Sequence, residues 1–326
     1  MKMPQLRILA TSFCGKKCIY CRPSGEGTAD CKDNLFVDYS MALKICSLYK
    51  FYGGNDIKIS GGDPIFWPKI VSFIHEAKHE IGIRYIELIT RSPKVIELVH
   101  DLKNAGLDTL NFSLDVIDPA KYQLITGVND HDELLETIKA CTKILPTKIN
   151  SVIMKGINHN NVDELIDFCE EIGARQLKLL DIIDDLQDCP SDNCDRLRKL
   201  GFSNLKDLFV PLEKMSEAIS KRSISSSITY QGGLGHPMNE FVMHSGLVVT
   251  IKDSTNGAWY GDICKNCCHY PCHDALMALR YTPENKLQFC LLNEAASISL
   301  DGTTENEMAQ RFCDALSIYE NASFHV

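Results

Sequence analysis

The sequence predicts an α/β chain whose first part is a parallel sheet covered by helices. Three observations carry this. Over residues 1–183, short β-rich runs alternate six times with amphipathic stretches of helical period. The runs are nearly continuous in apolar residues, as strands of a covered parallel sheet are. Turn residues separate each run from the stretch that follows it. Six such units fit a curved partial barrel as well as an open sheet, and either fold gathers its chemistry at the C-terminal ends of the strands.

The strands are expected at "LRILATS" (6–12), "IKIS" (57–60), "RYIELIT" (84–90), "TLNFSLD" (109–115), "KINSVIM" (148–154) and "RQLKLLD" (175–181). Helices are expected between them, near 38–52, 67–81, 93–105, 131–144 and 161–172. At about residue 184 the rhythm breaks in "DDLQDCPSDNCD", an acidic, turn-rich stretch that reads as a boundary or surface excursion. This divides the chain into 1–183 and a smaller α+β region, 184–326. The latter carries a helix at 205–221, β-like runs around 240–251, a cysteine-dense segment and a last helix near 304–319.

Of the 326 residues, 44% are hydrophobic and 24% charged, and the net charge is −9. That composition supports a sizeable core and argues against a general nucleic-acid binder, which needs a basic face. No apolar run is long enough to cross a membrane, and residues 1–13 lack a signal-peptide pattern. A cytoplasmic protein is therefore expected. Fifteen cysteines in a reducing compartment point to metal ligation rather than to a disulfide framework.

Three of them, Cys14, Cys18 and Cys21, crowd the loop after the first strand, with no histidine among them. Thiolates select zinc or iron–sulfur centres, and a closed zinc site takes four ligands. Three thiolates on a four-iron cluster leave one iron open for an outside ligand. After the second strand comes "SGGDP", where Gly61 and Gly62 allow close backbone approach and Asp63 can accept hydrogen bonds from an ammonium group. "HEAKHEIG" (75–82) matches the start of a zinc-protease motif. Tyr85 stands where a third ligand is required, and Ile70, Phe73, Ile74 and Ala77 form the buried stripe of that helix, so His75 and His79 are read as solvated.

The cysteine spacing, with Tyr20 before the last thiol, together with the glycine motif after strand two, resembles the radical S-adenosylmethionine (SAM) superfamily. "LRILATSFCGKKCIYCRP", "IKISGGDPIFWP", "NAGLDTLNFSLDVIDPAKYQLITG", "KINSVIMKGIN" and "ENKLQFCLL" are similar, in order, to blocks of the molybdenum-cofactor GTP 3′,8-cyclase (MoaA) family. The resemblance implies a partial (β/α)6 TIM-like barrel of the radical SAM type with a C-terminal iron–sulfur domain. It implies a [4Fe-4S] cluster on Cys14, Cys18 and Cys21 and SAM beside Tyr20, Gly61, Gly62, Asp63, Ser113 and Lys178. Lys178 stands where the family has an arginine.

An anionic substrate, a nucleotide such as GTP, would meet Arg7, Lys58, Lys148 and Arg280. A second [4Fe-4S] cluster would draw its ligands from Cys264, Cys267, Cys268, Cys272 and Cys290, with Cys264, Cys267 and Cys290 matching the family in order. An electron donor such as flavodoxin or ferredoxin is implied, and neither nucleic acid nor membrane. Departures are equally visible: Ile89 replaces a family threonine, "R91-S92" an Asn-Gly pair, and Ala278 an arginine. A radical enzyme acting on a peptide or a natural-product sugar, and a zinc protein without radical chemistry, stand as alternatives.

Overall fold

The computed structural model describes residues 3–21, 35–183, 191–231, 234–293 and 295–325. The first seven residues of the acidic stretch expected as an excursion, 184–190, lie outside them.

All six expected strands form: β1 (Gln5–Leu9), β2 (Asp56–Ser60), β3 (Tyr85–Thr90), β4 (Thr109–Ser113), β5 (Thr147–Ile153) and β6 (Gln176–Asp181). They lie parallel and in chain order, and the sheet curls into a half-barrel. Strands from later in the chain extend it at both edges. β11 (Ala278–Tyr281) pairs parallel with β1, and β9 (Val248–Lys252) parallel with β6. Antiparallel strands β12 (Lys286–Gln288) and β13 (Ser297–Ser299) finish one side; β8 (Leu234–Met243) and β7 (Ser223–Gln231) finish the other, giving twelve strands among the described residues. β10 (Ala258–Tyr260) pairs separately with β14 (Ser323–His325).

The strands are not apolar on both faces. Leu6, Ile8, Ile57, Ile59, Leu88, Leu110, Phe112, Ile149 and Leu177 are fully buried on the side that joins the main hydrophobic core. Alternate positions carry Arg7, Lys58, Glu87, Asn111, Lys148 and Lys178. Successive strand side chains point to opposite faces, so the sheet is hydrophobic outside and polar towards the lumen. On the outside pack α1 (Tyr39–Phe51), α2 (Ile70–His75), α3 (Val99–Asn104), α5 (His131–Thr142) and α6 (Val162–Ile172). α9 (Glu305–Glu320) begins in a Thr304/Glu307 capping box. Its Tyr52–Phe312 stacking and the Tyr319 hydroxyl, which donates to Ala278 O at 2.8 Å, tie it to α1 and β11.

Three expected helices are interrupted. The stretch expected at 205–221 splits into a 3-10 turn Leu205–Leu208 and α8 (Glu213–Ser220), because Pro211 bars helical geometry at the residue before it. The 67–81 stretch ends in a π-helical turn, Glu76–Glu80, and the 93–105 stretch opens as a 3-10 turn, Pro93–Glu97. Two helices were not expected: α4 (Pro119–Thr126) and α7 (Ser191–Lys199). Asp118 caps α4 at one end and Gly127, at φ 78°, closes it at the other. Among the described residues no helix is long and apolar enough to cross a membrane.

Candidate active site

The cysteine loop leaves β1 and is laid down along the end of α4: Lys17 N donates to Thr126 O and Ile19 N to Ile125 O, each at 2.9 Å. Between the first two thiols Lys16 is buried, and its Nζ donates to Tyr122 Oη at 2.9 Å and to Asp130 at 2.5–2.7 Å. Cys14 is close enough to Cys18 and Cys21 for their charges to interact. Burial, then Asp63 and those two cysteines, push its thiol up to about 12. A cation in the proton's place would favour the thiolate of Cys14.

The "SGGDP" loop docks on the cysteine loop, backbone to backbone. Gly62 N donates to Thr11 O at 2.6 Å and Asp63 N to Phe13 O at 2.7 Å. A Cβ at Gly62 would stand 2.1 Å from Phe13 O, so glycine is required there. Asp63 is buried and already engaged: it accepts from Thr90 Oγ1 at 2.8 and 2.9 Å, from Arg91 N at 2.8 Å and from Ile65 N at 3.4 Å. Desolvation pushes its carboxyl up to about 6 against those bonds.

Arg91, one of the departures from the family pattern, is buried beside the cysteines. Its Nη1 donates to Cys18 Sγ at 3.4 Å and pairs with Asp115 Oδ2 at 2.9 Å. Its Nη2 donates to Tyr20 Oη at 2.5 Å, and Tyr20 in turn donates to Asp115 Oδ2 at 2.7 Å. The polar end of Tyr20 is thus fixed.

Below these loops lies a cationic lumen. Arg280, Arg7 and Lys58 stand side by side on β11, β1 and β2, with Glu87 next in the same register on β3. Glu87 is 1% exposed and contacts Lys58 Nζ and Lys148 Nζ at 3.0 Å and Asn111 Nδ2 at 2.8 Å. Burial alone would raise this carboxyl, but the two lysines and Asn111 outweigh it and hold it well below the usual range. Ser113, Asn150 and Lys178 form a second row across β4, β5 and β6. Burial, then Lys58, Lys252 and Arg7, drive Lys178 well below its ordinary pKa. Among the described residues, the buried Ser60 Oγ, Asn111 Oδ1 and Asn150 Oδ1 find no hydrogen-bond partner. Such a lumen, with cations that repel one another beside unmatched polar atoms, can accommodate a polar anion.

Residues 8–169 match the radical SAM superfamily. Across almost all its length the chain is similar to proteins named probable GTP 3′,8-cyclase. That of Pyrococcus horikoshii is 27% identical over 319 residues, 97% of this chain and 92% of the relative. That of Methanothermobacter marburgensis is 28% identical over 295 residues, 88% and 84% of the two chains.

The chain belongs to the radical SAM superfamily.

Its fold is shared with Streptococcus suis SuiB, solved bound to S-adenosylmethionine, at a TM-score of 0.59 and 18% identity over 93% of this chain. This radical SAM enzyme spans 63% of that structure's length. Membership of the superfamily implies a [4Fe-4S] cluster and SAM, and the residues present fit them. Three soft thiols, Cys18 buried and Cys14 and Cys21 half-buried, share one loop beside the glycine motif, and unmatched polar atoms face the lumen. Each thiolate of a cluster holds a different iron, so the three need not meet at a point. Among the described residues no three Cys, His, Asp or Glu side chains are placed to hold a single metal ion.

The later cysteines are sorted by the structure. Cys264, Cys267, Cys272 and Cys290 line one cavity, together with Tyr260 and His269. Cys268 is exposed and lies outside it. Burial pushes Cys272 up to about 12 and Cys290 to about 11. Arg280 is fully buried, its Nη2 3.9 Å from Asp274 Oδ1. His75 and His79 are exposed, while Ile70, Phe73, Ile74 and Ala77 are in the core, as their spacing requires.

Sequence reasoning passed over Glu87, Asp115, Lys16 and Lys252. A lone acid at the centre of "YIELIT" was a signal for Glu87. The other three become meaningful only through partners distant in the chain.

Proposed function

We propose that this radical SAM enzyme abstracts hydrogen from an anionic, nucleotide-type substrate held in the barrel lumen, in the manner of a GTP 3′,8-cyclase. The observation that carries the reading is the set of cations Arg280, Arg7, Lys58, Lys148 and Lys178 gathered below the cysteine loop. The names of the relatives point the same way.

When bound, a [4Fe-4S] cluster and SAM supply one electron and, by reductive cleavage, a 5′-deoxyadenosyl radical. Cys14, Cys18 and Cys21 hold the cluster and leave one iron to SAM. Gly61 and Gly62 bring backbone oxygens to the amino group; Asp63, engaged with Thr90 and Arg91, anchors their loop. Tyr20, fixed by Asp115 and Arg91, offers its ring beside SAM. Ser113 and Lys178 face the carboxylate, and an anion next to Lys178 favours its charged form. Arg7, Lys58, Lys148 and Arg280 bind phosphate. A second [4Fe-4S] cluster takes its ligands from the cysteines at 264–290, and a flavodoxin or ferredoxin supplies the electron.

Glu87 favours a second reading of the substrate. It neutralises part of the charge on Lys58 and Lys148, so an anion with fewer charges than a triphosphate would suit the lumen. The test is 5′-deoxyadenosine formation by the reconstituted, reduced enzyme with GTP, GMP or guanosine. Stimulation by GTP with a cyclised product supports the first reading, and stimulation by GMP alone the second. Cleavage indifferent to all three removes the nucleotide.

A further inference from the structure

The cysteines at 264–290 exceed by two the three that match the family, and their placement separates Cys272 from Cys268. Cys264 and Cys267 sit on one turn, Cys267 N donating to Cys264 O at 3.1 Å. Cys272 and Cys290 come from two other segments, clamped together where Leu291 N donates to the buried Asp274 at 3.0 Å. All four thiols line the same cavity.

Backbone amides are already aimed at two of the sulfurs. Ala275 N donates to Cys272 Sγ at 3.4 Å and Leu292 N to Cys290 Sγ at 3.3 Å. Ala275 makes its contact from φ 62°, a conformation uncommon for a residue with a Cβ. N–H donors to sulfur are a feature of iron–sulfur sites that tunes the cluster. Cys272 is therefore as much part of the cavity as Cys290, while Cys268 is exposed beside it.

We propose that Cys264, Cys267, Cys272 and Cys290 together ligate the second cluster, closing all four irons to outside ligands, and that Cys268 takes no part. The proposal rests on the reading that this cavity holds a [4Fe-4S] cluster. It follows that no substrate atom binds iron there, and that the lumen side chains alone orient the substrate.

The test uses the full chain with Cys14, Cys18 and Cys21 changed to alanine, so that only the second site binds iron. After anaerobic reconstitution and reduction, electron paramagnetic resonance is recorded with and without 13C-cyanide. About four irons per chain, a spectrum unmoved by cyanide and no 13C coupling are expected. Adding Cys268→Ala should change nothing, whereas adding Cys272→Ala should either produce a 13C coupling or lose the cluster. A 13C coupling in the parent overturns closure alone, and that measurement does not depend on any further variant folding. A Cys272→Ala protein that keeps the parent spectrum and stays silent to cyanide also overturns closure. Zinc in place of iron, or no metal, overturns the cluster reading as well.

Discussion

Replacing Glu87 by glutamine tests the electrostatics of the lumen directly. The substitution keeps the side chain's volume and its contact with Asn111 but removes the charge that faces Lys58 and Lys148, each 3.0 Å away. Removing one partner of a buried ion pair costs about 3–5 kcal/mol, because the remaining charge is left uncompensated. Here two lysines lose their counterion, with Arg7 and Lys178 near enough to add repulsion. At a urea dependence of about 2–3 kcal/mol/M, the midpoint of the reconstituted variant should fall on the order of 1–2 M. Pyrophosphate should reverse much of the loss, since a ligand at a hundred times its dissociation constant stabilises by about 2.7 kcal/mol. The same anion should stabilise the unmodified protein less, because Glu87 already occupies the cations. Equal midpoints, or equal stabilisation of both proteins by pyrophosphate, would refute the view that Glu87 stands in for an anion.

Two further perturbations reach other parts of the structure. Gly62→Ala places a Cβ 2.1 Å from Phe13 O, so the glycine and cysteine loops must separate; SAM cleavage should drop roughly 100-fold or more, and retained cleavage would mean the loops do not need that contact. His236 is buried, and burial first, then Lys252, lowers its pKa from 6.5 to about 3. A histidine lowered on folding stabilises above its unfolded pKa, and that contribution is lost as pH falls from 6.5 towards 3, by up to about 1.4 kcal/mol per pH unit. The fall in denaturation midpoint should flatten in His236→Gln; parallel pH profiles for the two proteins would disprove the assignment.

Much of this was legible in the sequence for identifiable reasons. The six strands of the half-barrel announced themselves because each is bounded by turn residues and followed by a helical period. The cysteine and glycine loops could be placed because both directly follow those strands. Pro211 is an example of a local signal outweighed by periodicity in the reading of 205–221. The lumen was less legible. Arg7 and Lys58 were marked as cations, yet nothing local to Glu87 says that it joins Lys58 on one side to Lys148 on the other. Arg91 was recorded only as a departure from a pattern, and its contacts with Cys18, Tyr20 and Asp115 bring together three separate loops. Cys272 could not be told from Cys268 by spacing, since one turn of chain sends one inward and the other to solvent.

The pairing of β11 with β1 has a consequence for how the chain assembles. Arg7 meets Arg280 only when a strand near the end of the chain docks on the first one, and β6 likewise waits for β9. During synthesis the six-stranded sheet therefore emerges with two open edges, each a row of unpaired amides and carbonyls able to recruit another nascent chain. Closing them depends on contacts of long sequence separation, which form slowly. The hazard for this protein lies in the interval between completion of β6 and arrival of β11, and a helper that shields strand edges in that interval would raise the yield of folded enzyme without touching its native stability.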